Sequence, residues 1–257
     1  MLQFCAIMKH MNKPTRVNHQ PAFLLAATPW RENSSLIELF SRDYGRVAMV
    51  ARSARTRQSE LRGVLVPFVP VSASWYGKEE LKTLHRAEWI GGWAQPQGRA
   101  LFSGLYVNEL VLKLSVREDP HPEVFEAVQT VMRAVATEPN HIAALRRFEW
   151  CLLRECGFAP DLKQDEYGQA IESEQDYWLR PEHPVLPLAQ AQLLAGDEAM
   201  GVVVSGSTLC ALDSGCFASG KSLQEALKIN RLLLNFRVPE GIRSRQVLQQ
   251  LQQFEAT

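Results

Sequence analysis

The hydrophobic pattern of the chain changes its period near residue 93, and this change constrains the fold more than any other feature. Before it, short apolar and β-branched runs alternate with turn residues such as Asp43-Tyr44-Gly45, which is typical of strands. After it, apolar residues recur at the three- and four-residue spacing of helices. The sequence therefore predicts an α+β fold, with a β-rich first part and a mainly α-helical second part.

Five runs in the first part are predicted as strands. They cover residues 22–28, 36–40, 46–51, 64–76 and 81–90. Pro67 and Pro70 lie inside the fourth run and predict an edge, a bulge or a bend there. Five short strands in this length favour a small barrel or a sandwich, and the five-stranded oligonucleotide-binding (OB) barrel is one member of that class.

The second part contains several helical patterns and one acidic segment. Helices are predicted over residues 101–114, 145–156, 221–235 and 243–253. A further helix is predicted to begin near Pro122, with an apolar stripe formed by Val124, Val128, Val131 and Val135. Residues 158–200 carry nine acidic and two basic residues and several prolines. The predicted organisation is a flexible tail (1–20), a β domain (21–92) and a helical domain (93–257) with an acidic irregular insert near 158–200.

Charge is distributed unevenly along a chain that is neutral as a whole. Residues 1–92 hold 13 basic and 7 acidic residues, and residues 93–257 hold 15 basic and 21 acidic residues. This asymmetry indicates a localised anion-binding face. No apolar run reaches the roughly 18 residues of a membrane span. The five cysteines form no CxxC pair, so we expect neither a disulfide framework nor a Cys-rich zinc site. We expect a cytoplasmic protein, and no cofactor is predicted.

Basic and aromatic residues are concentrated in the β-rich part. The basic residues are Arg46, Arg52, Arg55, Arg57 and Arg62, followed by Lys78, Lys82 and Arg86, and the aromatic ones are Phe68, Trp75, Tyr76 and Trp89. Single-stranded nucleic acid binds such combinations, because cations follow its backbone and rings stack on its bases. A solvated basic loop with core aromatic residues is the alternative interpretation.

Two further motifs lie in the helical part. Residues 215–222 match GxxxxGK[ST], the phosphate-binding loop in which Lys221 would contact a nucleotide, and residues 209–212 could form its strand. The expected parallel sheet is missing from the pattern, so a turn in which Ser219 or Ser222 caps a helix is favoured.

The second motif is LRRFE at residues 145–149. On a helix, Arg146 and Arg147 flank an apolar stripe of Leu145, Phe148 and Leu152, which could receive an acidic peptide with an apolar tip. A surface pair on an amphipathic helix is the alternative.

Several segments, in this order and spacing, resemble the RecO family of bacterial DNA repair and recombination mediators. They are AFLL at 22–25, PWRENSSL at 29–36, VARSAR at 50–55, LVPFVP at 65–70, LFSGLYVNEL at 101–110, LRRFE at 145–149 and LLRECGF at 152–158. Some family members carry four cysteines after the last of these segments. Residues 161–187 contain none, so metal is not expected here.

The resemblance implies an N-terminal OB domain followed by a helical domain, acting on DNA at the nucleoid. It implies binding of single- and double-stranded DNA, annealing of complementary strands, and help in loading recombinase onto DNA coated by single-strand-binding protein (SSB). The implied partners are RecR, in some cases RecF, and the acidic C-terminal tail of SSB. A nucleotide hydrolase using Lys221 and a protein-interaction scaffold without DNA contact are the competing functions.

The family resemblance and the sequence motifs together predict two sets of binding residues. The expected DNA-binding residues are Arg46, Arg52, Arg55, Arg57, Arg62 and Lys82. The expected SSB-tail residues are Leu145, Arg146, Arg147, Phe148 and Leu152, with Arg146 favoured as the cation that contacts the tail.

Overall fold

The computed structural model describes residues 15–194 and 200–255, and it divides the chain into two units. The first unit comprises Met1–Gln95 and Val116–Pro122, and the second comprises Pro96–Ser115 and Glu123–Thr257. The division at Gln95 lies close to the change of hydrophobic period. The hydrophobic pattern did not predict that Val116–Pro122, which lies beyond this division in the chain, belongs to the first unit.

Strands of the first unit close into a five-stranded barrel. The strands are β1 (Arg16–Trp30), β2 (Ser34–Ser41), β3 (Gly45–Ala51), β4 (Pro70–Tyr76) and β5 (Lys82–Trp89), in the order β1-β2-β3-β5-β4. The β3–β5 pair is parallel, and the other pairs are antiparallel. Alternate residues such as Ile37 and Leu39, or Val71 and Ala73, face the barrel core. The predicted OB-type barrel and the α+β class are confirmed.

Two details of the predicted barrel were wrong. Strand β1 begins at Arg16, so residues 16–20 belong to the sheet and not to a flexible tail, while residues 1–14 lie outside the described residues. The fourth run, residues 64–76, is not a single strand, because Val64 is the last residue of the short helix α1 (Leu61–Val64) and β4 begins only at Pro70. Pro67 and Pro70 lack the N–H that a ladder requires, and Phe68 between them has a positive φ of 74°.

The segment Val116–Pro122, which we call the strap, packs on the barrel. The backbone N–H of Glu118 donates to the carbonyl of Arg46 (2.8 Å), and the carboxylate of Glu118 pairs with Lys82 (2.7 Å). Gly45 has a φ of +64°, and a Cβ on this residue would lie 2.1 Å from the carbonyl oxygen of Asp119. Glycine is therefore required where the strap meets the β2–β3 turn.

The second unit is built mainly from helices. They are α2 (Ala100–Leu114), α3 (Pro122–Thr137), α4 (Ile142–Glu155), α5 (Leu188–Leu194), α6 (Gly206–Ser214), α7 (Gly220–Arg237) and α8 (Arg243–Glu255). The predicted stripe Val124, Val128, Val131 and Val135 is buried in α3. Helix α4 packs against α7, and α2 packs against α8. None of the helices in the described part of the chain has the length and apolar character needed to cross a membrane.

The acidic insert is more ordered than the sequence indicated. Within the described residues, β6 (Asp176–Leu179) pairs with β7 (Leu186–Pro187) on one side and with β8 (Val202–Ser205) on the other. Asp165 is buried, and its carboxylate accepts the backbone N–H groups of Tyr167 and Gln169, each at 2.9 Å. The expectation of a wholly irregular insert is therefore wrong.

Candidate nucleic-acid interface and arginine groove

The connector between β3 and β4, residues 52–69, carries an open set of arginines. Arg52, Arg57 and Arg62 are exposed, and no described residue forms a hydrogen bond or an ion pair with their guanidinium groups. The turn from Ser53 to Thr56 is closed by the Thr56 backbone N–H and hydroxyl, which both donate to the Ser53 carbonyl (3.1 and 2.9 Å). Three unpaired guanidinium groups are thus available for phosphate oxygens.

Arg55 links this connector to the tip of the β1–β2 hairpin. Its backbone N–H donates to the carbonyl of Asn33 (3.0 Å), and its guanidinium reaches the carbonyls of Arg31 and Glu32 (3.4 and 3.5 Å). The exposed side chains of Trp30 and Arg31 belong to the same hairpin tip. Arg55 therefore joins two loops with exposed cations.

Two of the predicted DNA-binding residues, Arg46 and Lys82, do not belong to this open surface. Lys82 is buried, pairs with Glu118, and donates to the carbonyl of Glu79 (2.5 Å). Arg46 is half-buried, and its pKa is lowered mainly by burial and also by Arg117, while Glu38 acts in the opposite direction. We therefore exclude Lys82 from the proposed DNA-binding surface and assign Arg46 to the barrel wall.

The four aromatic residues that the sequence placed beside the basic cluster fall into two groups. Phe68 and Trp75 are buried, and the ring of Trp75 packs edge-on against Tyr44 with 5.3 Å between ring centroids. Tyr76 and Trp89 are exposed. Only the second pair can stack on a base, so the alternative of core aromatic residues holds for Phe68 and Trp75.

A groove in the helical unit brings three arginines together. It has a volume of about 140 Å³ and is lined by residues from four helices: Phe102, Ser103, Tyr106, Leu145, Arg146, Glu149, Leu227, Arg231, Ser244, Arg245 and Leu248. We call it the arginine groove. Apolar side chains from α2, α4, α7 and α8 lie beside the guanidinium groups. A peptide with carboxylates and an apolar tip matches both features.

A buried hydrogen-bond network holds one of these arginines in place. The carboxylate of Glu149 accepts from the Tyr106 hydroxyl (2.7 Å) and from the Asn230 amide (2.8 Å), and it pairs with Arg146 (2.8 Å). The side chains of Arg146 and Glu149 are 9% and 1% exposed. The Nε of Arg146 is buried and has no hydrogen-bond acceptor among the described residues.

Electrostatics in the arginine groove reflect this crowding of cations. Burial lowers the pKa of Arg231, and the neighbouring Arg245 and Arg146 lower it further. Burial also raises the pKa of Tyr106 well above its ordinary value, with Glu149 adding to the effect. The Tyr106 hydroxyl therefore stays protonated and donates to Glu149. An anion in the groove would relieve the mutual repulsion of the three guanidinium groups.

The five residues predicted from LRRFE separate in the structure. Leu145 and Arg146 line the arginine groove. Arg147 is exposed elsewhere, where it donates to the Gly215 carbonyl and lies 5.9 Å from the centre of the Phe217 ring. Phe148 and Leu152 are buried in the core and do not line the groove. Sequence reasoning missed Tyr106, Arg231 and Arg245, because they come from other helices and no local spacing connects them to α4.

The GxxxxGK[ST] match is a helix cap. Residues 209–212 lie in helix α6, not in a strand, and α7 begins directly at Gly220. Ser219 accepts the backbone N–H of Ser222 (3.2 Å), and the two residues form a capping box. Lys221 is exposed and pairs with Glu225 (3.6 Å). The interpretation of this segment as a capped turn is confirmed, and its interpretation as a phosphate loop after a strand is wrong.

Glu225 joins the start of α6 to α7. Its carboxylate accepts the backbone N–H and hydroxyl of Ser205 (3.1 and 2.7 Å) and the hydroxyl of Thr208 (2.6 Å). Burial raises the pKa of Glu225, but these hydrogen bonds and the nearby Lys221 outweigh it, so the pKa lies below 4.5. Folding therefore stabilises the ionised form.

We expect Glu225→Gln to destabilise the protein at pH 7 by about 1–2 kcal/mol, because one charged acceptor for three donors is lost. Since the folded pKa lies below the unfolded one, this stabilisation is present above about pH 4.5 and is lost as the pH falls through the folded value. Urea unfolding at pH 7 and pH 3 measures the difference, which should shrink at pH 3. The exposed Glu174→Gln serves as control, and a difference independent of pH would contradict the assignment.

In the described part of the chain, no group of three or more His, Cys, Asp or Glu side chains is arranged to hold a metal ion. The described cysteines Cys151, Cys156, Cys210 and Cys216 are free thiols. Burial raises the pKa of Cys151 to about 11, so this thiol is not a ready nucleophile at neutral pH.

A five-stranded barrel joined in sequence to a helical unit is the architecture of a two-part OB-fold protein. Residues 15–93 match the family described as Recombination protein O N terminal, and residues 95–246 match Recombination protein O C terminal. The chain belongs to the RecO family.

Relatives align with this chain over nearly its full length. The chain is 61% identical over 240 residues to the DNA repair protein RecO of Neisseria gonorrhoeae, covering 93% of this chain and 97% of that protein. It is 39% identical over 251 residues to the DNA repair protein RecO of Chromobacterium violaceum (94% and 98%). It is 41% identical over 246 residues to the DNA repair protein RecO of Aromatoleum aromaticum (95% and 100%).

Proposed function

We propose that this chain is a non-catalytic mediator of DNA repair and recombination that binds single- and double-stranded DNA and anneals complementary strands. The observation that carries the proposal is the set of exposed guanidinium groups of Arg52, Arg57 and Arg62 on an OB-type barrel, which pair with no residue that the structure describes. Phosphates on both kinds of DNA are ligands for such groups, and neutralising two strands at once favours their pairing.

Fluorescence anisotropy with labelled single- and double-stranded oligonucleotides across a salt series tests this function, and a strand-annealing assay without ATP accompanies it. We expect the logarithm of the binding constant to fall linearly with the logarithm of the salt concentration, and we expect annealing to need no nucleotide. Absence of binding to either DNA at low salt would leave a protein-interaction scaffold as the function. Annealing that depends on ATP and on Lys221 would support a nucleotide hydrolase.

The same proposal includes loading of recombinase onto SSB-coated DNA, with RecR, in some settings RecF, and the C-terminal tail of SSB as partners. Family membership and the arginine groove support these partners. A tail with acidic residues and an apolar end would place carboxylates on Arg231 and Arg245, and Arg146 would add its positive charge to the wall of the groove. Its apolar end would contact Leu145 and Leu248. Work on DNA implies a cytoplasmic, nucleoid-associated location.

We expect Arg231→Ala to weaken binding of a labelled acidic tail peptide about tenfold, because one charge-assisted contact is lost. Arg231 is exposed and, unlike Arg146, forms no ion pair with Glu149, so its replacement leaves the buried network intact. Isothermal titration of the peptide measures the change. Arg147→Ala removes the same charge from an exposed position of α4 outside the groove and should bind the peptide like the wild type. Equal losses in both variants would show that only overall charge matters.

A further inference from the structure

Helix α1 and strand β5 form a groove on the barrel that the open arginines do not line. It has a volume of about 490 Å³ and is lined by Glu60, Leu61, Val64 and residues 85–89. We call it the α1–β5 groove. Helix α1 packs against β5, so one wall comes from the connector that carries the arginines and the other from the sheet.

The two walls of the α1–β5 groove suit a flat aromatic ligand. Trp89 at the end of β5 is 54% exposed, which is a large apolar surface left in water. Leu61 and Val64 of α1 are half-buried, because they also pack against the barrel core. A planar ring between an indole face and two aliphatic side chains would remove water from both walls.

The charges around the groove favour a base inside it and the phosphate of the same nucleotide outside it. Glu60, Arg86 and Glu88 all line the groove, and Arg86 and Glu88 neutralise each other as an ion pair (2.5 Å), so the negative charge of Glu60 makes the lining unattractive to a phosphate. Arg62 lies on α1 between Leu61 and Val64 but outside the groove lining, and it is exposed and without a described partner. A nucleotide can therefore place its phosphate on Arg62 and its base in the groove.

We propose that the α1–β5 groove binds an unstacked base of single-stranded DNA, with Trp89 as the stacking platform. This assignment depends on the proposed DNA-binding function and adds a site where the base, and not the backbone, is bound. Duplex DNA cannot use the site, because its bases are paired and stacked inside the helix. Stacking on an indole tolerates any base, since every base has a π-face.

The test compares two labelled strands of equal length and charge, one of oligo-dT and one of abasic sugar-phosphate, by anisotropy across a salt series. Trp89→Ala should weaken oligo-dT binding at least about fivefold and should leave the abasic strand unaffected. The slope of log affinity against log salt should not change, because no phosphate contact is lost. Trp89→Phe keeps a ring and should retain most of the oligo-dT affinity.

Tyr167→Ala provides the matched control, because Tyr167 is equally exposed (55%) but lies in the helical unit. Oligo-dT affinity equal to the wild type in Trp89→Ala would overturn the base site, and so would an equal loss of affinity for both strands. In either case a DNA-binding function carried by the arginines would stand. Failure of the wild type to bind either strand would instead refute the DNA-binding function itself.

Discussion

Replacing Arg146 by alanine should lower the free energy of unfolding by about 3–5 kcal/mol, which is the usual effect of breaking a buried ion pair. The variant leaves the carboxylate of Glu149, at 1% exposure, without its cation. Tyr106 and Asn230 would still donate to that carboxylate, but neutral donors offset only part of the cost of burying a charge. Urea denaturation followed by circular dichroism measures the change.

Two further variants test whether the loss of stability comes from breaking the buried ion pair or only from removing a positive charge. Arg147→Ala removes a guanidinium one position further along α4, where it is exposed, and should change stability by less than about 1 kcal/mol. Adding Glu149→Gln to Arg146→Ala should restore part of the lost stability, because a neutral amide can remain buried, with its oxygen accepting from Asn230 and its NH2 group donating to the Tyr106 hydroxyl. An Arg146→Ala variant as stable as Arg147→Ala would show that the buried pair is unimportant.

The second large effect concerns the open arginines of the connector. The triple variant Arg52→Ala, Arg57→Ala and Arg62→Ala should reduce the salt slope for single-stranded DNA by about 2, at about 0.7 per phosphate contact. By the same relation, binding at 0.1 M salt should weaken by about 100-fold, and the difference should vanish on extrapolation to 1 M. Anisotropy titrations over several salt concentrations measure both quantities.

Two controls accompany the triple variant. Replacing the same three arginines by lysine keeps their charge and should retain the slope, although bidentate contacts are lost. Lys82→Met removes a buried cation that pairs with Glu118 and should leave the slope unchanged in the folded protein. An unchanged slope in the alanine triple variant would place the DNA-binding surface elsewhere.

Local sequence patterns predicted most of the elements and the class of the fold. The stripe of valines in α3 and the alternation in β2 and β3 are periodic within one element, so the buried face follows from the residues themselves. The proline pair Pro67 and Pro70 correctly indicated an interruption, but not the helix α1 that precedes it. Short helices rest on tertiary contacts, here between α1 and the barrel core, and these have no period in sequence.

The candidate sites were predicted less completely, because burial of a charge depends on partners distant in the chain. Lys82 belongs to the basic half by composition, yet Glu118 of the strap pairs with it. Arg146 and Arg147 are equivalent in sequence, but Glu149 with Tyr106 and Asn230 holds only the first. Arg52, Arg57 and Arg62 are exposed and pair with no acidic side chain of the described chain, and their contact with DNA stays a prediction.

Because the strap follows helix α2 in the chain, the barrel can gain its contacts with the strap only after α2 has been synthesised. Domains emerge from the ribosome from the N-terminus onward. Strands β1 to β5 are synthesised before helix α2, and Glu118 follows only after α2. Until then, Lys82 has no ion pair with the Glu118 carboxylate, and the carbonyl of Arg46 does not accept the N–H of Glu118. A gene fragment that stops at Gln95 therefore encodes a barrel whose Lys82 has no carboxylate partner from the strap.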